Sequence, residues 1–280
     1  MVVDAHHHLW RYHPARQSWL RRHDELAPLQ RDFLGDELNA LIRENGIDAT
    51  IVVQADDSLD DTDAMVSAAK EHAFIAGIVG WAPLHDPHAT QRTLDAYVDE
   101  PKIKGLRHMF IFDRDPDWLI RPNILDSLEI VAARGYTWDS TATTSRHLQH
   151  VCTLAERIPN LKQVIDHLGK PPVLEGGWEP WASLMQRAAE CPNIYVKLSA
   201  PLKVTAISNV SGSQLRRYVD HVIDHFGPER VMIASNWPVC TLFSGYRSTW
   251  HQMVDLLADL TPAQRSAVMG GTAMDFYKLA

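Results

Sequence analysis

Short apolar runs alternate along the chain with longer segments whose apolar residues recur at helical spacing. The runs rich in β-branched residues predict eight strands, at residues 2–8, 49–54, 74–81, 103–109, 136–141, 161–167, 194–199 and 231–236. The segments between them predict seven helices, at residues 36–45, 62–72, 90–100, 124–134, 145–157, 181–190 and 214–225. Gly46, Gly135 and Gly227 follow three of these helices and act as stop signals.

The number of strand and helix pairs predicts the fold. Dividing 280 residues by eight strands gives 35 residues per unit, the size of one βα module. Eight such modules predict an α/β fold of the (β/α)₈ TIM-barrel type. An open doubly wound sheet also alternates strands with helices, but it usually has fewer strands, and no glycine-rich phosphate loop follows the first strand here. No Gly/Ser/Pro-rich linker divides the chain, so we expect residues 1–280 to form a single domain.

Composition and charge exclude several classes of partner. The net charge is −8 and no run of Lys or Arg could follow a phosphate backbone, which argues against nucleic acid. The longest apolar stretch, residues 74–84, is shorter than the ~18 residues of a membrane helix, and no basic region followed by an apolar run marks the N-terminus. The three cysteines lie far apart, which suits a reducing cytoplasm. We therefore expect a small-molecule substrate and neither nucleic acid nor membrane as partner, with a homo-oligomer left open.

Three histidines are candidate metal ligands. His6 and His8 end the first predicted strand, and because side chains alternate along a strand they project together while His7 points away. Two neutral imidazoles so placed can share one ion at ~2.0–2.1 Å. His167 ends the sixth strand at the same height in a barrel. A polar patch, or a buried histidine with satisfied hydrogen bonds, is the alternative.

Other strand ends carry polar and aromatic side chains. Arg107 offers a planar fork to a carboxylate or hydroxyls, and His108 could relay a proton. Asn236 faces inward at the end of the eighth strand, but an amide cannot accept a proton as a carboxylate does. The remaining candidates are polar and aromatic residues that could bind a small polyhydroxylated ligand: Gln54, Trp81, Trp138, Asp139 and Lys197. Each of them could equally pack in the core or form a salt bridge at the barrel rim.

Several ordered strings resemble the lactonase branch of the amidohydrolase superfamily. They are Asp-Ala-His-His-His-Leu-Trp at 4–10, Lys-Gly-Leu-Arg-His at 104–108, Ile-Asp-His-Leu-Gly-Lys-Pro at 165–171, Lys-Leu-Ser at 197–199, Ser-Asn-Trp-Pro-Val-Cys at 235–240 and Gly-Gly-Thr-Ala-Met-Asp-Phe-Tyr at 270–277. The resemblance implies a (β/α)₈ barrel that hydrolyses sugar lactones such as L-fucono-, L-rhamnono- or L-galactonolactone. It implies metal ligation by His6, His8 and His167.

The sequence departs from the superfamily pattern at two positions. The eighth strand usually ends in an Asp that serves as metal ligand and general base, and Asn236 stands there instead. No counterpart of the bridging carboxylated Lys of two-metal members is found at Arg107-His108. We therefore expect at most one divalent ion, zinc in the first instance, or no metal, with the imidazoles then binding the carbonyl oxygen directly.

These observations predict a lactonase with assigned roles and leave two alternatives open. His108 or Asp139 is the predicted base, Asn236 orients the water, and the predicted substrate contacts are Gln54, Trp81, Arg107, Trp138 and Lys197. A non-oxidative decarboxylase, or a pyrone or muconolactone hydrolase, would use the same barrel. Asn236 also leaves open a catalytically silent protein that binds a sugar acid or a metal.

Overall fold

Eight parallel strands form one sheet, paired in the order in which they occur along the chain. The computed structural model describes residues 1–199 and 212–279. The strands are β1 (Val3–His7), β2 (Ala49–Val53), β3 (Ile75–Gly80), β4 (Ile103–Arg107), β5 (Thr137–Ser140), β6 (Gln163–Ile165), β7 (Ile194–Leu198) and β8 (Val231–Ile233). Each begins within two residues of its predicted start, because a β-branched, aromatic or other apolar residue opens each of the eight predicted segments.

Backbone hydrogen bonds bring the last strand segment back to the first. The Asn236 amide donates to the His6 carbonyl at 2.9 Å, and the His8 amide donates to the Trp237 carbonyl at 2.7 Å. The sheet is therefore a nearly closed barrel with helices between its strands, and the prediction of a (β/α)₈ TIM barrel is confirmed.

All seven predicted helices are present, with ends within three residues of the prediction. They are α1 (Gly35–Glu44), α2 (Leu59–Glu71), α3 (Pro87–Tyr97), α4 (Pro122–Ala133), α5 (Ser145–Arg157), α6 (Trp181–Ala189) and α7 (Gly212–Phe226). Three helices follow β8: α8 (Gly245–Asp255), α9 (Pro262–Ser266) and α10 (Thr272–Tyr277). No helix in the described part of the chain is long and apolar enough to cross a membrane.

Two apolar clusters hold the barrel together. The larger lies between the sheet and the surrounding helices, and the smaller combines side chains of β1, β2, β3, β6 and β8 with the last helix. Phe276 and Tyr277 of α10 are buried in the smaller cluster. Burying each such aromatic side chain contributes roughly 1.5–3 kcal/mol, so α10 stabilises the barrel interior.

Segments after β1 and β4 build a wall around the carboxyl ends of the strands. The chain after β1 forms two 3₁₀ helices, Ser18–Arg21 and Asp24–Leu29, and the chain after β4 forms a third, Phe110–Phe112. The Arg22 guanidinium stacks on the Phe112 ring at 4.3 Å, which links the two segments.

Candidate active site

A cavity of about 450 Å³ opens at the carboxyl ends of the strands, where barrel enzymes place their chemistry. Its polar lining groups come from several different strand ends. They include His8, Arg107, Asp166, His167, Lys170 and Asn236. Residues of the wall segments, among them Leu26, Ile111 and Phe112, supply apolar surface. The cavity is thus polar where the strands end and largely apolar along the wall.

The predicted alternation along β1 is confirmed. His6 and His8 point to the same side, with their Nε2 atoms 3.1 Å apart. The His7 ring turns the other way and pairs with the Thr50 hydroxyl at 2.8 Å. His167 joins the pair, its ring centroid 4.6 Å from that of His6.

Each of the three imidazoles has a polar partner beside Nδ1. His8 Nδ1 pairs with the Val53 carbonyl at 2.8 Å, and His167 Nδ1 pairs with the Ser199 hydroxyl at 2.6 Å. His6 Nδ1 lies 3.3 Å from Asp166 Oδ1. We assign the proton to Nδ1 of His8 and of His167 on this basis, which leaves Nε2 of both rings unprotonated. His6 Nδ1 also lies 3.1 Å from the Lys197 ammonium, and His6 Nε2 lies 3.3 Å from Arg107 Nη1.

Burial sets the charge state of the imidazoles. Desolvation lowers the pKa of His6 far below its ordinary value, although the carboxylate of Asp166 opposes the effect. Desolvation likewise lowers the pKa of His8 and of His167 far below the usual range. The three rings are therefore neutral near pH 7, and neutral imidazole is the form that ligates metals.

Asp166 is a site residue that the sequence reasoning missed. Strand alternation puts Asp166 and His167 on opposite faces, yet both line the cavity. The cause is the backbone, since His167 has φ 53° and Leu168 has φ 56°, so the chain leaves the extended conformation there. The signal in the sequence that could have identified Asp166 is its position directly before the candidate metal ligand His167.

The carboxylate of Asp166 is surrounded by cationic groups. Arg107 Nη1 donates to Oδ2 at 3.1 Å, and Lys197 Nζ lies 3.3 Å from Oδ1. Burial by itself favours the neutral acid, but the attraction of Lys197 holds the pKa of Asp166 well below its usual range. Asp166 is therefore ionised at neutral pH.

The donor atoms around His6 have the arrangement that a divalent ion requires. One donor atom from each of His6, Asp166 and His167 lies within 4.8 Å of the others. Two nitrogens bound to one zinc at ~2.0–2.1 Å lie roughly 3 Å apart, and the Nε2 atoms of His6 and His8 are 3.1 Å apart. Asp166 Oδ1 is buried without a hydrogen bond to any described residue. The donors of His6, Asp166 and His167 fit a single cation, and His8 is not a member of this group of three among the described residues.

Arg107 lies between the imidazoles and β2. Its Nη2 donates to the Gln54 carbonyl at 2.5 Å, and its Nη1 lies 3.3 Å from His6 Nε2. Arg107 lines the cavity, whereas Gln54, fully buried, does not appear among the described lining residues. The role predicted for Gln54 as a substrate contact stays a prediction, and the residue lies behind the guanidinium.

Lys197, Asp139 and Trp138 are buried below the cavity. Lys197 Nζ pairs with Asp139 and lies 3.1 Å from His6 Nδ1. The Tyr277 hydroxyl donates to Asp139 at 3.0 Å, a contact that the sequence did not indicate. Burial raises the pKa of Asp139 to about 6, against the attraction of Lys197. These three predicted residues are absent from the described cavity lining, so their roles stay predictions.

We expect Lys197→Met to lower the free energy of unfolding by roughly 3–5 kcal/mol, because it leaves the buried carboxylate of Asp139 without its cation and removes one of the two cations beside Asp166. Lys70→Met is the matched control, since Lys70 pairs with Glu100 at 2.7 Å on the surface. The exposed pair should contribute only about 0–1 kcal/mol. Denaturant titration of both variants measures the difference, and equal losses would contradict the buried network.

His108 and Trp81 form a separate cluster beside Arg107. Trp81 Nε1 donates to His108 Nδ1 at 3.0 Å, and the His108 ring stacks on Trp118 with centroids 4.3 Å apart. Burial lowers the pKa of His108 below its ordinary value. Within the described part of the chain, neither His108 nor Trp81 lines the cavity, so the base and substrate-contact roles predicted for them stay predictions.

Asn236 faces the cavity, as the strand pattern predicts. It follows the end of β8 with φ 56°, a conformation that Asn tolerates better than most residues. Its Oδ1 atom is buried without a hydrogen-bond partner among residues 1–199 and 212–279. Such an unpaired oxygen is costly unless a ligand or a water satisfies it.

The family model described as amidohydrolase matches residues 3–279 of the chain. The chain belongs to the amidohydrolase family. An amidohydrolase crystal structure from Burkholderia multivorans with bound zinc superposes with a TM-score of 0.90, at 29% identity, and the match covers 100% of both chains. The prediction of an enzyme of this family is therefore confirmed.

Two curated relatives of this amidohydrolase are named as lactonases and match nearly the whole chain. A protein of Burkholderia ambifaria named L-fucono-1,5-lactonase is 32% identical over 99% of this chain and 95% of its own length. A protein of Burkholderia multivorans with the same name is 30% identical over 99% of this chain and 96% of its own length. The similarity thus extends over nearly the whole of each protein.

Proposed function

We propose that this protein is a hydrolase that opens the ring of a sugar lactone by attack of water on the lactone carbonyl. The observation that carries the proposal is the convergence of His8 and His167 with Arg107, Asp166 and Asn236 at the polar end of one cavity, with the buried His6 ring directly behind them. Its volume of about 450 Å³ lies within the ~300–1,000 Å³ typical of small-molecule sites.

The relatives support the choice of substrate class. Two of them are named L-fucono-1,5-lactonase and match almost the full chain, so L-fucono-1,5-lactone is the first substrate to test. L-rhamnono- and L-galactonolactone are the next members of the proposed substrate range. The three separate cysteines support a cytoplasmic location as part of the proposal.

We further propose that His6, His8 and His167 hold one divalent ion, with zinc as the preferred metal. Imidazole nitrogens suit zinc, and the partners of the Nδ1 atoms of His8 and His167 orient these two rings in the way that supports metal ligation. When bound, such an ion polarises an ester carbonyl and stabilises negative charge on its oxygen.

The protein's own side chains then bind the lactone and move a proton. Arg107 donates to an oxygen of the lactone and holds its carbonyl near the imidazoles. Asn236 orients the water that attacks the carbonyl carbon. Asp166 Oδ2 accepts the proton of this water and returns it to the ring oxygen when the C–O bond breaks, which yields the hydroxy acid.

Asp166 is chosen as the proton acceptor because it is the only carboxylate among the described residues that line the cavity. Its Oδ2 atom accepts from Arg107 and keeps a second lone pair for water. Because the pKa of Asp166 lies well below its usual range, the acceptor is ionised at neutral pH. His108 and Asp139, the bases predicted from the sequence, lie behind the described residues that line the cavity.

A panel of substrates tests the proposed function against its alternatives. Purified protein is incubated with sugar lactones and a pH indicator, with correction for spontaneous hydrolysis, and with aromatic acids in a carbon dioxide assay. Acid release from a sugar lactone is the expected result. Carbon dioxide from an aromatic acid would indicate a decarboxylase, acid from a pyrone or muconolactone would shift the substrate class, and binding without turnover would indicate a silent binding protein.

We expect His167→Ala to lose most of its bound zinc after dialysis, because two imidazoles remain where three converge. The wild type and His221→Ala should each retain about one zinc per chain. His221 is a matched control because its ring pairs with the Ala182 carbonyl on the outer helices.

Atomic emission measures the metal content of the three proteins. Unchanged zinc in His167→Ala would overturn the shared site. Lactone turnover by wild-type protein from which all metal has been removed would mean that the imidazoles bind the carbonyl oxygen directly.

A further inference from the structure

We propose that Asp57 is a positioning residue that fixes the Arg107 guanidinium through the amide of Gln54. The inference rests on the proposed function only in so far as Arg107 binds the lactone. Asp57 is missing from the described lining of the cavity, so any effect it has on substrate passes through other residues.

The first link joins Arg107 to Gln54. Arg107 Nη2 donates to the Gln54 main-chain carbonyl at 2.5 Å and lies 3.4 Å from its side-chain Oε1. Gln54 Nε2 also approaches the Arg107 carbonyl, at 3.3 Å. Gln54 is fully buried, so its amide has no solvent to which it could turn. The side-chain amide of Gln54 is therefore one of the groups that hold the guanidinium, beside the Gln54 main-chain carbonyl and Asp166.

The second link sets the orientation of this amide. Gln54 Nε2 donates to Asp57 Oδ1 at 2.7 Å. A carboxylate accepts hydrogen bonds but cannot donate one when ionised, so it selects the rotamer with the amide nitrogen toward Asp57. The amide oxygen is then turned toward Arg107, where it attracts the cation.

The third link ties the same carboxylate to β4. The Met109 backbone amide donates to Asp57 Oδ1 at 3.0 Å. Met109 follows Arg107 by two residues and lines the cavity. Asp57 thus fixes the side-chain partner of Arg107 and the backbone just beyond it with one oxygen atom.

Because both hydrogen bonds go to Asp57 Oδ1, the positioning role of Asp57 can be tested separately from its negative charge. Asn can present a carbonyl oxygen to both Gln54 Nε2 and the Met109 amide, whereas Ala can present none. The other oxygen, Oδ2, lies 3.4 Å from His108 Nδ1 and takes no part in these two bonds. Asp57→Asn should therefore restore most of what Asp57→Ala loses.

The neighbouring Asp56 offers a matched control. Its Oδ2 accepts from the Ser58 hydroxyl at 2.8 Å, in the same loop after β2. Asp56→Ala removes a carboxylate one residue away and leaves the Gln54 and Met109 bonds in place. Melting temperatures of all variants are recorded so that loss of folding is recognised.

The kinetic experiment measures kcat/KM for L-fucono-1,5-lactone in a double-mutant cycle. We expect Asp57→Ala to lower kcat/KM about tenfold, the equivalent of ~1.4 kcal/mol, with Asp57→Asn and Asp56→Ala close to the wild type. In an Arg107→Lys background the further loss from Asp57→Ala should disappear, because the group that it positions is gone. Equal losses in both backgrounds would overturn the inference.

A second readout needs no activity. Arg107 Nε is buried without a hydrogen-bond partner in the described residues, so its proton reports on the placement of the guanidinium. The Nε–H signal in protein labelled with ¹⁵N-arginine is assigned by its absence in Arg107→Lys. We expect its exchange with solvent to speed up at least about tenfold in Asp57→Ala and to stay unchanged in Asp57→Asn and Asp56→Ala.

The two readouts separate the inference from the proposed function. Faster exchange in Asp57→Ala without lactone turnover by the wild type would support the positioning role and reject the lactonase. Lactone turnover by the wild type with identical exchange in Asp57→Ala and Asp56→Ala would reject the positioning role and keep the lactonase.

Discussion

Asp166→Asn is expected to lower kcat/KM for the lactone by ~10²–10⁴, the usual contribution of a positioned proton acceptor. The amide keeps the shape of the carboxylate but cannot take the proton of the attacking water. The substitution also removes the negative charge that Arg107 contacts at 3.1 Å. Arg107 is then held less firmly, which weakens its binding of the substrate. Initial rates of acid release over a range of lactone concentrations measure the effect.

Asp139→Asn is the informative companion to that variant. Both carboxylates are buried and both pair with Lys197, but only Asp166 lines the cavity in the described structure. A variant series in which Asp139→Asn loses activity and Asp166→Asn keeps it would move the proton acceptor to Asp139. Circular dichroism of both variants checks that the barrel is intact.

Asn236→Asp is expected to lower kcat roughly 10²-fold, comparable to the loss of one preorganised polar contact in an active site. The substitution replaces a neutral amide, which lines the cavity, by a carboxylate. Two negative groups, this one and Asp166, then face the same cavity. They would repel the acidic product and disturb the orientation of the water.

A measurement of kcat against pH for wild type and Asn236→Asp tests this account. A gain of ~10²–10⁴ with a new acid limb would contradict it, because the strand-eight carboxylate would then supply a missing general base. A loss that is uniform across the pH range agrees with a native Asn at this position.

The sequence predicted the architecture because strand and helix signals are local. Continuous apolar runs such as 49–53 and the helical spacing of α5 identify their elements without tertiary information. Strand ends were less predictable. β6 ends at Ile165 and β8 at Ile233, earlier than expected, because His167 and Asn236 take left-handed backbone conformations that no local pattern announces.

The site was predictable only as far as strand alternation holds. His6 and His8 lie within a regular strand, and their convergence follows from its period of two. Asp166 lies beyond the end of β6, where that rule fails. The burial of Lys197 and Gln54 behind the polar end of the cavity depends on contacts with residues distant in the sequence, Tyr277 and Arg107 respectively, and sequence spacing does not predict these contacts.

The most direct test of the central claim is acid release from L-fucono-1,5-lactone by zinc-loaded wild-type protein and by Arg107→Lys, followed in a pH-stat. The account predicts rapid release by the wild type and a large loss in Arg107→Lys, since a single ammonium cannot reproduce the contacts of the guanidinium with Gln54 and Asp166. Release no faster than spontaneous hydrolysis in the wild type, or equal rates in the two proteins, would contradict it.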